Sequence, residues 1–307
     1  MVRIEKILFP TDFSEPSNHA LPYAVALAAT YGAKLYVLHV ITLFEHDPYE
    51  PHHTFPDING YRKQIQAAAE AKTGEMAARI SQGPGQLQVE KIVERGVAPY
   101  EIILDVAERE AVDLIVLATH GRSGLARFLL GSVTEKIIRF ARCPVLVVKQ
   151  HEHEFVDPQT GLLKLRTILV PIDFSAASER ALHYGASLAE QFGAQLRLVH
   201  VLDVRINPSY YATGVDSIFQ INPEMRDRLE HKLRDFAREI IAEHQSVEYV
   251  ILEGKAHAEI DRYARKEAID VIVMGTHGYE EIGDYLLGST TERVVRHAPC
   301  PVLVTHQ

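Results

Sequence analysis

At 307 residues, with 47% hydrophobic and 24% charged residues, the chain has an ordinary globular composition and the length of two domains of about 150 residues each. Two cysteines give no disulfide framework, which fits a reducing cytoplasm, and a formal net charge of −9 argues against a protein that reads a nucleic-acid backbone. The most apolar stretch, Ala20 to Ala33, has 14 residues and contains Pro22, too short and too broken to span a bilayer, and the N-terminus shows no signal-peptide pattern.

In chain order, Lys6 to Phe9 reads as a short apolar strand. Pro16 then sits in the first turn of a helix that ends at Gly32, a natural left-handed stop. Leu35 to Ile41 is the second strand, and after an aromatic and Pro-rich stretch a helix is predicted over Gly60 to Ser81. Leu87 to Val93 (strand), Pro99 to Arg109 (helix), Leu114 to Leu117 (strand), Ser132 to Phe140 (helix) and Val145 to Val148 (strand) complete the unit. Short Val, Ile and Leu runs without alternation predict strands buried on both faces, hence a parallel sheet covered by helices.

The same unit then recurs. Pro10, Asp12 and His39-Val40 match Pro171, Asp173 and His200-Val201 at a constant spacing of 161, while Thr119-His120-Gly121 matches Thr276-His277-Gly278 at a spacing of 157. In the second copy Met225, Leu229, Leu233, Phe236 and Ile240 keep helical period. The expected domains are 1–150 and 165–307, joined by a polar linker over 151–164.

Two loops per copy fall at the carboxyl ends of strands, where open α/β sheets bind ligands. One follows the fourth strand: Ala118-Thr119-His120-Gly121, nine residues, then Gly131-Ser132-Val133; and Gly275-Thr276-His277-Gly278, nine residues, then Gly288-Ser289-Thr290. Glycines let backbone N–H groups approach an anion, and the Gly-Ser pairs open helices whose N-termini carry partial positive charge. Each Ser is expected either to cap its helix or to donate to a phosphate. The other loop follows the first strand: Pro10-Thr11-Asp12 and Pro171-Ile172-Asp173. A carboxylate there can accept from an adenine amino group or from ribose hydroxyls, or can cap the following helix.

With these motifs the whole chain resembles a tandem universal stress protein of the ATP-binding type. That family's signature, Gly-x2-Gly-x9-Gly-Ser/Thr, is complete in copy two and departs in copy one only at Ala118. The resemblance implies an α/β fold used twice: open, doubly wound, parallel five-stranded sheets of order 3-2-1-4-5, Rossmann-like and of the adenine nucleotide alpha hydrolase-like kind. It puts Asp12 and Asp173 at the nucleoside end, the backbones of Val40 and Val201 at the adenine edge, and the glycine loops on ribose and phosphates of ATP, AMP or ADP, with Mg²⁺ alongside. It also implies a cytoplasmic regulator of the stress response rather than a dedicated catalyst, and dimerisation through the last strand. The strands after Cys143 and Cys300 are apolar edges, so the two copies are expected to pair edge to edge.

The copies differ in charge between the last two glycines. Copy one carries Arg122 and Arg127 where copy two carries Glu280, Glu281 and Asp284. Against a triphosphate of roughly four negative charges, copy one is expected to bind ATP more tightly and copy two to lean on Mg²⁺ or prefer fewer phosphates. His39 and His200 read as core histidines hydrogen-bonded near the pocket, and Cys143 and Cys300 as small buried thiols. His52-His53 and the His151, His153 pair lack metal-site spacing, so no metal site is expected. The His-rich stretch Glu45 to Asp57 reads as a lid or partner surface. The chain has no Gly-Lys-Ser/Thr phosphate loop and no kinase signature. A slow ATP hydrolase or nucleotidyl transferase and a nucleotide-free scaffold are the competing classes.

Overall fold

The computed structural model describes residues 2–42, 58–83, 86–119, 130–148, 153–157, 161–204, 217–276 and 287–306. The chain forms two compact units, one built on residues 3–149 and the other on residues 164–307 together with 150–157.

In the first half, β1 (Lys6–Pro10), α1 (Glu15–Tyr31), β2 (Lys34–Thr42), α2 (Ile58–Ser81), β3 (Val89–Gly96), α3 (Pro99–Arg109), β4 (Leu114–Ala118), α4 (Ser132–Phe140) and β5 (Val145–Val148) alternate. The strands pair in parallel in the order β3-β2-β1-β4-β5. Ile7, Leu8 and Phe9 of β1 and Ile115 and Val116 of β4 are wholly buried, which is why these strands are continuous apolar runs. α1 starts where Ser14 Oγ accepts from the Ser17 N–H and stops at Gly32, whose φ of 63° is the left-handed stop.

The second half repeats this plan with β6 (Thr167–Pro171), α5 (Ala176–Phe192), β7 (Gln195–Leu202), α6 (Ile218–Ile221), α7 (Glu224–Ala237), β8 (Val247–Glu253), α8 (Ala256–Lys266), β9 (Val271–Gly275), α9 (Ser289–His297) and β10 (Val302–Thr305). Its strands run in parallel in the order β8-β7-β6-β9-β10, the same 3-2-1-4-5 path. Among the described residues no helix is long and apolar enough to cross a membrane.

Several element ends differ from expectation by one or two residues, and three differences go further. β3 spans Val89–Gly96, not Leu87 to Val93, because its register runs from Leu35↔Val89 to Thr42↔Gly96 and so follows β2 to its end. Its outer end carries Glu94 and Arg95, which an edge strand tolerates. Ile240 falls beyond α7, whose C-terminus tightens into turns as the Ile240 N–H donates to the Ala237 carbonyl at 3.1 Å. The stretch expected to be a plain polar linker contains Phe155 and Val156, both buried, and it folds back as the Lys164 N–H donates to the Phe155 carbonyl at 2.7 Å.

Candidate functional site

The carboxyl end of β1 turns into α1 through hydrogen bonds dictated by the residues there. The Thr11 N–H makes a last bond along β2, to the Leu38 carbonyl at 2.8 Å. Thr11 Oγ1 then accepts from the Phe13 N–H at 3.0 Å and from the Ser17 hydroxyl at 2.9 Å. Asp12 Oδ1 accepts from the Ser14 N–H at 3.0 Å and the Ser14 hydroxyl at 2.6 Å, an Asx turn. In the second half the Ile172 N–H donates to the Val199 carbonyl at 2.8 Å, and Asp173 Oδ1 accepts from the Ser175 N–H at 2.9 Å. Helix capping, offered as one role for Asp12 and Asp173, belongs instead to Ser14 and Ser175; the aspartates shape the loop two residues earlier.

The second loop closes on the end of β4. The Gly131 N–H donates to the Thr119 carbonyl at 2.8 Å, and the Thr134 hydroxyl to the Ala118 carbonyl at 2.8 Å. The second half repeats both bonds, Gly288 N–H to Thr276 at 2.8 Å and Thr291 hydroxyl to Gly275 at 2.9 Å. These contacts fix where α4 and α9 begin. The N-cap is Gly131 or Gly288, with no side-chain capping bond, and Ser132 and Ser289 are the first helical residues. So neither serine caps its helix; both are exposed at its mouth, beside first-turn amides that a helix cannot pair internally. Thr134 and Thr291 escaped the sequence reading, although the repeated Gly-Ser-x-Thr pattern carries them.

Gly275 has a packing role that the motif did not suggest. A Cβ there would lie 2.8 Å from both the Cβ and the carbonyl oxygen of Ala177. Its missing side chain therefore lets α5 seat against β9, a packing need that exists whether or not a ligand is bound. The equivalent Ala118 is buried in the first half and carries its methyl without a break in β4.

In the first half the two loops converge on one cavity of about 310 Å³, at the lower end of the volumes that hold small ligands. Pro10, Thr11, Asp12, Val40, Ala118, Gly131, Ser132 and Val133 all line it. Thr119 is buried and contributes the carbonyl that holds Gly131. Leu38, Ile103, Leu117 and Ile137 supply an apolar wall, and His39 and Thr42 add polar groups that lie outside the two loop motifs. In the second half Pro171, Ile172, Asp173 and Val201 stand at the ends of β6 and β7, while Gly275, Thr276, Gly288, Ser289 and Thr290 surround the start of α9. His120, Gly121, Arg122, Arg127, His277 and Gly278 lie outside the described residues, as do Glu280, Glu281, Asp284 and the His-rich stretch.

His39 and His200 each place Nδ1 2.8 Å from a loop carbonyl, that of Thr11 or Ile172. A carbonyl only accepts, so Nδ1 carries the proton in each. Burial pushes the His200 imidazole below its ordinary range. Cys300 is fully buried, whereas Cys143, expected to be buried as well, is only half-buried; desolvation, with the Asp113 carboxylate adding to it, still pushes the Cys143 thiol up to about 12, far from the character of a reactive thiolate. A larger cavity of about 490 Å³ lies between α7, β8 and α8, away from both loops. Its charged lining includes Glu230, Glu248, Glu259 and Arg262, all engaged in ion pairs.

The chain is thus a doubly wound α/β unit used twice, with its cleft at the carboxyl ends of the strands. The Universal stress protein family model matches residues 3–149 and again 164–306, and the chain belongs to that family. Two universal stress proteins of Methanocaldococcus jannaschii are each 33% identical to it. One aligns over 49% of this chain and 85% of its own length, the other over 48% and 97%. Among solved structures, a universal stress protein from Archaeoglobus fulgidus has the same fold, with a TM-score of 0.71 at 24% identity over 99% of this chain and 97% of that one.

Proposed function

We propose that the protein is a regulator of the stress response that binds adenine nucleotides, ATP foremost, in the cleft of each half, and that it is not a dedicated catalyst. The observation that carries this reading is the cavity of the first half. A carboxylate loop borders it on one side and the first-turn amides of a helix start on the other, with an apolar wall between. A flat base suits the wall of Leu38, Val40 and Ile103, and an anionic tail suits the amides of Ser132 and Val133. Mg²⁺ enters this proposal only as a companion of the phosphates, since among the described residues no group of three or more His, Cys, Asp or Glu could hold a metal. A cytoplasmic location, pairing of the two copies through their last strands, and assembly into homodimers belong to the same proposal. Sedimentation of the chain with and without ATP tests the assembly.

The experiment that separates the competing classes is denaturation of the purified protein followed by chromatography of what it releases. ATP, ADP or AMP at up to two per chain is the expected result. Steady phosphate release under turnover would make it an enzyme, and no nucleotide retained at saturating ATP would leave a scaffold.

A further inference from the structure

The loop that carries Asp12 is braced by a stack of its own Phe13 with side chains from two elements, and the second half builds the same stack. Phe13 has a φ of 63° and Phe174 a φ of 66°, the left-handed region that an aromatic residue keeps only when its surroundings hold it there. The Phe13 ring packs on the His39 imidazole of β2 at a centroid distance of 4.6 Å, and the Lys72 ammonium of α2 lies 4.5 Å from its centroid. His39 in turn bonds the Thr11 carbonyl at 2.8 Å, one residue before Asp12. In the second half the Phe174 and His200 centroids lie 4.7 Å apart, Lys232 sits 4.0 Å from the Phe174 centroid, and His200 bonds the Ile172 carbonyl at 2.8 Å.

The halves also differ in an instructive way. Ile172 has no hydroxyl to accept the bonds that Thr11 takes from Phe13 and Ser17. There the Phe236 ring of α7 meets Phe174 edge-on at 5.5 Å and 88°, adding an aromatic contact where the loop has lost hydrogen bonds. Without its ring, residue 13 or 174 is no longer held in that conformation, and the adjoining carboxylate loses its fixed aim.

Building on the proposed function, we infer that Phe13 with His39 and Lys72, and Phe174 with His200 and Lys232, are positioning residues that hold the aspartate loop in its nucleotide-ready shape. The ring acts on affinity by preorganising the loop, not by lying against the ligand.

The test is equilibrium dialysis of ATP against the full chain carrying Phe13→Gly, Phe174→Gly or both, with the melting midpoint measured alongside. Glycine adopts the left-handed backbone without strain, so the fold holds while ATP affinity at the altered site falls by about ten-fold or more. Phe13→Tyr keeps the ring and binds within about two-fold of the parent. Should a glycine variant misfold, His39→Asn, which keeps a donor near Nδ1, is to be compared with His39→Leu, which has none; affinity survives only in the former. Unchanged ATP affinity in the glycine variants would overturn the inference while sparing the proposed function. So would affinity and melting midpoint falling together across every variant. Failure of the parent chain to bind ATP at all would overturn both.

Discussion

Gly275 and Ala118 occupy the same position of the repeat with different neighbours, so their exchange separates packing from ligand contact. Gly275→Ala is expected to lower stability by about 2 kcal/mol, because the new methyl meets the Ala177 backbone. Ala118→Gly should cost under about 1 kcal/mol; urea denaturation of both variants checks the contrast. Ala111 and Ala268, with φ of 50° each, make the opposite case. Both follow a helix as left-handed stops, with Val112 N–H bonding Ala107 at 2.9 Å and Ile269 N–H bonding Ala264 at 3.0 Å. Glycine at either site should raise stability by about 1 kcal/mol by removing the clash of Cβ. The sequence did place the end of α3 at Arg109, but the left-handed turn at either alanine was not legible, since alanine is the residue least suggestive of that backbone. His200 adds a pH dependence: its folded value lies below the ordinary 6.5 because of burial. Its share of stability is therefore full above pH 6.5 and is lost as pH falls through the lower folded value. A flatter stability profile between pH 7 and 5 is expected for His200→Asn.

At the scale of elements, the sequence was most informative where chemistry repeats and least where pairing decides. Pro16 and Gly32 announced α1, though its cap Ser14 was passed over in favour of Asp12, and the Gly-Ser pairs announced α4 and α9 to the residue. The extent of β3 was hidden because its last residues, Glu94 and Arg95, are polar and earn their place only by lying beside β2. The candidate site was legible as two loops, but their convergence needed the strand order, and the parts of His39, Thr134 and Ile103 depend on that convergence. The hydroxyl bond from Thr134 to the Ala118 carbonyl ties the start of α4 to β4 at 2.8 Å. Thr134→Val leaves that carbonyl short of a partner and should cost about 1–2 kcal/mol. It should weaken ATP binding at the first site more than it weakens the fold, which titration and thermal melting together resolve.

For the molecule as a whole, duplication supplies an internal control, because each half carries the same loops under different local charge. Between the last two glycines the first half has two arginines and the second has three acidic residues. The two sites are expected to be unequal, the first taking ATP more tightly and losing affinity faster with added salt. Changing Arg122 and Arg127 to glutamine in the full chain should bring the two affinities together. The most direct measurement is a crystal structure of the chain grown with excess ATP. The account predicts density in the first cleft, with the base beside Val40 and the phosphates at Gly131 to Val133. A cleft filled only by water, at a concentration of ATP that saturates the crystal, would contradict it.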